Sequence, residues 1–178
     1  PASLDRATSP DPAMPANADQ IAEWNGPVGE RWARYAAETE RHVAPFGEAA
    51  LKAADARLGE RVIDVGCGVG ETSFRLAQAV GPSGAVLGVD VSEPMLALAD
   101  ARLAQEGLAQ LRFALADASR AQLPEEADLL FSRFGVMFFD DPTAAFAHLR
   151  RALRPGGRLA FVCWRHPREN PWAMAPLV

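Results

Sequence analysis

Several residue types are nearly missing from this chain of 178 residues: it has two cysteines, three histidines and one tyrosine, and Lys52 is its single lysine among eighteen basic residues. Cys67 and Cys163 lie in separate apolar segments without CxxC or Cys/His spacing. That leaves no motif for a zinc site or a disulfide framework and fits a reducing, cytoplasmic compartment. No apolar run approaches the roughly 18–20 residues of a membrane span, and no signal-peptide core opens the chain. An excess of positive charge is missing too, since 18 basic against 23 acidic residues give a net charge of -5. A phosphate backbone or an anionic membrane finds no electrostatic footprint here, so neither nucleic acid nor a membrane is an expected partner. What is present is ordinary for one globular domain: 49% hydrophobic and 23% charged residues.

Residues 1–17 (PASLDRATSPDPAMPAN) are rich in proline and poor in large apolar side chains, and read as a disordered tail. The chain begins on proline and Met14 precedes a more regular pattern, so the first thirteen residues read as an artificial addition or an upstream start. From 18 to 58 apolar residues recur at helical spacing, as in Ile21 and Trp24, Trp32 and Tyr35, and Ala50, Leu51 and Ala54. Gly26-Pro27, Gly29 and Pro45 are expected to break this region into short helices. Beyond Gly59 strands and helices alternate. Strands are expected at 61–65, 85–90, 111–115, 127–132 and 158–164, and helices at 71–80, 93–106 and 142–153. Ser92 and Asp141 stand where caps are needed, and Pro155-Gly156-Gly157 is expected to end the last helix. Alternation of this kind predicts βαβ units in a Rossmann-like, doubly wound, mostly parallel α/β sheet over 59–178, preceded by N-terminal helices.

The sharpest feature is Asp64-Val65-Gly66-Cys67-Gly68-Val69-Gly70-Glu71, a glycine-rich turn from the first strand into a helix. Its spacing is GxGxG with glutamate at 71, which misses the GxGxxG dinucleotide fingerprint, and its flanking carboxylates suit a cationic ligand better than a pyrophosphate. Asp90 ends the second strand twenty residues after Gly70, and Asp117 follows the third. In an open α/β sheet these strand ends form one ligand crevice, where such acids accept from ribose hydroxyls and an amino group. Cys67 reads as a packed side chain, and Phe131, Phe134, Phe138 and Phe139 as core or cleft wall.

Taken in order, VIDVGCGVGET, VLGVDVSEPML, FALADA, ADLLFSRFGVMFFDDP and LRRALRPGGRLAFVCWR resemble the class I S-adenosylmethionine-dependent methyltransferases over roughly residues 20–170. The resemblance implies S-adenosyl-L-methionine as cofactor, S-adenosyl-L-homocysteine as product and a small-molecule methyl acceptor. It also implies that Gly66, Gly68 and Gly70 pass the methionine part and that Asp64 helps to hold its ammonium group. Asp90 would then take the ribose hydroxyls, Val91 and Met95 would pack on the adenine, and Asp117 with Ala118 would read its amino edge. Ser132 and Arg133 would border the methyl-transfer cleft. No catalytic base is identified. A protein that binds the cofactor without transferring methyl, or an NAD-dependent oxidoreductase, is the alternative. The resembled fold has seven strands in the order 3-2-1-4-5-7-6, whereas five are read here. The domain is therefore expected to be incomplete at its carboxyl end, with the chain continuing past Val178 or a second subunit pairing with the open edge at Leu159, Phe161 and Val162.

Overall fold

The computed structural model describes residues 17–170; the expected disordered tail, Asn17 apart, and residues 171–178 lie outside them. Five parallel strands, β1 (Arg61–Val65), β2 (Ala85–Asp90), β3 (Leu111–Leu115), β4 (Ala127–Arg133) and β5 (Leu153–Val162), form one sheet in the order β3-β2-β1-β4-β5. The direction of winding reverses between β1 and β4, which opens a crevice at their carboxyl ends. Three helices, α1 (Ala18–Trp24), α2 (Pro27–Arg34) and α3 (Ala36–Ala54), precede the sheet. The crossovers carry α4 (Glu71–Val80), α5 (Glu93–Glu106) and α6 (Pro142–Ala152). This is the expected doubly wound architecture.

Alternate residues of each inner strand feed opposite faces, and both faces are covered, which is why these strands read as unbroken apolar runs. Val62, Val86, Leu129 and Phe131 pack with Phe74 and Leu76 on one face, against α3 and α4. Ile63, Leu87, Val89 and Leu130 pack with Ala121, Val136 and Leu149 on the other. By this alternation Asp64 points to the α4 side, a placement that matters below.

Some expectations needed correction. Gly26-Pro27 does separate two helices, with Pro27 in the first turn of α2, but α2 runs through Gly29 and α3 runs through Pro45 without a break. A proline removes one helical donor, and here packing outweighs it: Ala50 and Ala54 are buried against the sheet, and Arg158 of β5 donates to Ala54 O at 2.8 Å and Asp55 O at 2.7 Å. Helix α6 ends at Ala152, and β5 begins at once on Leu153. Pro155-Gly156-Gly157 is thus a bulged entry within the strand, where the register against β4 shifts and Gly156 adopts φ +78°. The strand also ends at Val162, two residues early. Among the described residues nothing pairs with the outer edge of β5, and Leu159 and Phe161 are 40% and 48% exposed there.

Phe131 is fully buried between β1 and β5 under α3. Phe131→Ala should cost about 3–5 kcal/mol of stability, read from the urea midpoint at constant slope. A loss below about 1 kcal/mol would mean that this face is not the core.

Candidate functional site

The carboxyl ends of β1, β2, β3 and β4 open into one cleft of about 1250 Å³, its solvent-filled mouth included. Its floor is the glycine loop. Gly66 and Cys67 both donate to Val89 O, at 2.8 and 3.2 Å, which lays the loop across the end of β2. At Gly66 (φ +69°) a Cβ would lie 2.5 Å from Gly135 Cα, and at Gly68 (φ +57°) 2.7 Å from Met95 Cε. Any side chain there would collide with Gly135 or Met95 as well as strain the backbone. Asp90 fixes the loop: its Oδ2 accepts from Gly68 N at 2.7 Å and its Oδ1 from Ser92 N at 2.8 Å. Burial pushes the Asp90 carboxyl above its ordinary range, opposed by its backbone donors.

The expected site residues divide. Gly66, Gly68, Asp90, Val91, Met95 and Asp117 line the cleft. Ala118 and Arg133 do as well. Asp117 Oδ1 accepts from Ser119 N at 2.9 Å, while its Oδ2 is buried without a partner. Arg133 makes a bidentate pair with Glu40 of α3, at 2.7 and 2.8 Å. Asp64, Gly70 and Ser132 are not on the wall. Gly70 precedes α4 and its Cβ would meet Phe113. Ser132 is buried, donating to Val65 O at 2.7 Å and accepting from Val136 N at 3.2 Å. Asp64 is fully buried behind the loop, because β1 turns it toward α4, where it accepts from Thr72 Oγ1 at 2.7 Å and Ser73 Oγ at 2.6 Å. Burial raises its pKa to about 6, against the lowering by Ser73 and Thr72. Burial likewise pushes the Cys67 thiol well up, which suits a packed side chain and not a nucleophile.

The resemblance implies that the leading helices around Trp32 and Tyr35 fold over the cofactor, but the contacts that seat this roof were not legible in the sequence. Asn25, between α1 and α2, donates to Val91 O at 2.7 Å and accepts from Glu93 N at 3.0 Å, joining positions 66 and 68 residues apart. It thereby supplies the cap of α5 expected from Ser92, whose hydroxyl donates instead to Trp24 O at 2.8 Å. Trp24 meets Trp32 and Phe138 edge to face at 5.7 and 5.3 Å. Phe134, held at φ +65°, stacks on Trp164 at 4.4 Å. Phe134 and Phe138 are therefore cleft wall and Phe131 is core. Asn-Gly-Pro reads locally as a turn, and no local pattern announces a partner so far along the chain.

Residues 62–157, more than half of the chain, match the family described as a methyltransferase domain. Nocamycin O-methyltransferase of Saccharothrix syringae is 34% identical over 135 residues, 75% of this chain and 48% of that protein. A phosphoethanolamine N-methyltransferase of Haemonchus contortus, solved with S-adenosylhomocysteine, superposes with TM-score 0.62 at 28% identity over 72% of this chain and 31% of its own. The cyclase SpnF superposes with TM-score 0.60 at 25% identity, over 66% of this chain and 43% of its own. The chain spans about half the length of the curated relatives it matches.

Asp64 carries a pH signature. Its folded pKa of about 6 lies above the ordinary aspartate value of 3.8, so between those values the folded state binds more proton than the unfolded one. Its contribution to stability is therefore full below about pH 4 and lost as pH rises through 6. Relative to wild type, Asp64→Asn should gain on the order of 2–3 kcal/mol in unfolding free energy between about pH 4 and pH 7. A difference independent of pH in urea titrations would contradict the buried-acid assignment.

Proposed function

Because the chain belongs to the methyltransferase domain family, we propose that it binds S-adenosyl-L-methionine in this cleft and transfers the methyl group to a small-molecule acceptor, leaving S-adenosyl-L-homocysteine. The observation that carries the reading is the floor itself: the glycine loop at Gly66 and Gly68, Asp90 and Asp117 line one cleft, and Asp117 Oδ2 is buried there with no partner among the described residues. A donor-bearing nucleoside with a cationic amino-acid end fits acceptors of this kind. Asp117 with Ala118 would hold the adenine amino edge, Val91 and Met95 its ring, and Asp90 the ribose hydroxyls. The loop at Gly66–Gly68 would pass the methionine part. Asp64, set behind the loop, would act by holding Thr72 and Ser73 at the start of α4 and not by touching the ammonium group. A pyrophosphate cofactor fits worse, since the Asp90 carboxylate sits on the loop; Glu71, paired with Arg102 and off the cleft wall, does not bear on the choice.

When bound, the sulfonium supplies an activated methyl with its leaving group attached, so the chain's own task is alignment and exclusion of water. Trp32, Met137, Phe138 and Trp164 give the remaining wall an apolar character. Arg133 and Glu40 neutralise each other there. Such a wall supports a small, largely apolar acceptor, and the O-methyltransferase relative supports the same class. The likeness to SpnF favours a second reading, in which a fold of this type serves another reaction. Among the described residues no helix is long and apolar enough to cross a membrane. Among the described residues the outer edge of β5 is unpaired, as it would be whether a second copy or further strands paired with it.

Asp90→Ala should weaken S-adenosyl-L-homocysteine binding by about 1.5–3 kcal/mol in calorimetry, the scale for losing a charged acceptor, and Gly68→Val should abolish it. S-adenosyl-L-methionine should raise the melting temperature of wild type and NAD should leave it unmoved. Stabilisation by NAD alone, or full affinity in a folded Asp90→Ala variant, would refute the assignment.

A further inference from the structure

The roof carries chemistry that this reading leaves without a role. The side chains of Asn17, Gln20 and Trp24 follow one another at helical spacing along α1, and all three line the cleft. Trp24 has ring partners, but among the described residues Asn17 Oδ1 and Gln20 Oε1 are buried with no hydrogen-bond partner. Asn17 stands at the N-cap of α1, where an asparagine oxygen ordinarily accepts from the first turn, yet it makes no capping bond and is 6% exposed. The orientation of Gln20 is set by Glu23, whose carboxylate only accepts. The amide nitrogen therefore faces Glu23, at 3.5 Å, and the oxygen faces inward. Buried carbonyl oxygens without donors are costly, and the cleft holds a third of the same kind in Asp117 Oδ2.

Helix α1 is also fixed over one end of the cleft. Asn25 and the carbonyl of Trp24 are bonded to Val91, Ser92 and Glu93, the turn that directly follows Asp90. Gly29 lets α2 close against the same point, since a Cβ there would lie 1.8 Å from Trp24 O. The unpartnered oxygens are thus held on the helix anchored beside the nucleoside end.

We propose, on the strength of the cofactor reading above, that Asn17 and Gln20 are cofactor-binding residues. Their side-chain oxygens accept hydrogen bonds from the N–H and O–H groups of the adenosyl cofactor, so that α1 is part of the cofactor site and not only a cover for it. The cleft then presents acceptors from two directions, Asp90 and Asp117 from the sheet and Asn17 and Gln20 from the roof, to a ligand rich in donors.

Calorimetric titration of this chain with S-adenosyl-L-homocysteine tests the proposal without any methyl acceptor. Gln20→Met keeps the length of the side chain and removes its amide, and Asn17→Ala removes the other oxygen. Each variant should raise Kd about tenfold, with the unliganded melting temperature of Gln20→Met unchanged. Wild-type affinity in both Gln20→Met and Asn17→Ala would overturn the proposal while leaving the cofactor reading intact. A folded wild type that takes up no S-adenosyl-L-homocysteine would remove that reading, and this inference with it.

Discussion

One carboxylate organises the cleft. Asp90 accepts from Gly68 N with one oxygen and from Ser92 N with the other, so a single side chain ties the loop after β1 to the turn after β2. Its carbonyl accepts from Ala116 N at 2.9 Å and thereby draws the end of β3 into the same unit. Backbone donors aimed at a carboxylate are stronger than neutral pairs, and in a buried setting little water competes for them. Backbone bonds already join the three strand ends, from Gly66 N and Cys67 N to Val89 O and from Ala116 N to Asp90 O. The Asp90 carboxylate adds the bonds to Gly68 N and Ser92 N that fix the loop and the turn on either side of it.

The roof depends on that floor. Asn25 bonds to the backbone on either side of Ser92, and the Ser92 hydroxyl returns the contact to Trp24 O. From this hinge the aromatic contacts run to Trp32 and Phe138 and so reach the segment after β4. On the far side, Arg133 at the end of β4 grips Glu40 of α3. The leading helices are consequently held at two points on opposite sides of the cleft, in addition to the bond from Arg158 of β5 to the end of α3. That arrangement lets a seven-residue helix such as α1, too short to be stable alone, hold side chains in place over a ligand site.

How much of this was legible follows from the range of the interactions. The positions of the strands and crossover helices came from local signals, because the strands β1, β2 and β4 are covered on both faces and must be apolar throughout, whereas the order of the strands in the sheet came from the family resemblance. The glycine loop and Asp90 were legible because turn chemistry fixes where glycine is needed and strand length fixes where the next acid falls. Asp64 lies behind the loop and off the cleft wall because a strand alternates its faces: the residue two before Gly66 turns to α4, where Thr72 and Ser73 both donate to its Oδ2 while its Oδ1 has no partner among the described residues. Pro45 misled because packing against β5 outweighed one lost helical bond. The roles of Asn25 and Glu40 rest on partners 66 and 93 residues away, which no periodicity encodes.

The central claim is that one nucleoside ligand is held between this floor and this roof. Hydrogen exchange of the chain with and without saturating S-adenosyl-L-homocysteine tests it residue by residue. The account predicts slower exchange at 66–70, 90–93 and 117–119 together with α1, and no change along the outer edge of β5. Protection confined to other parts of the sheet, or no protection at all in a folded protein, would contradict it.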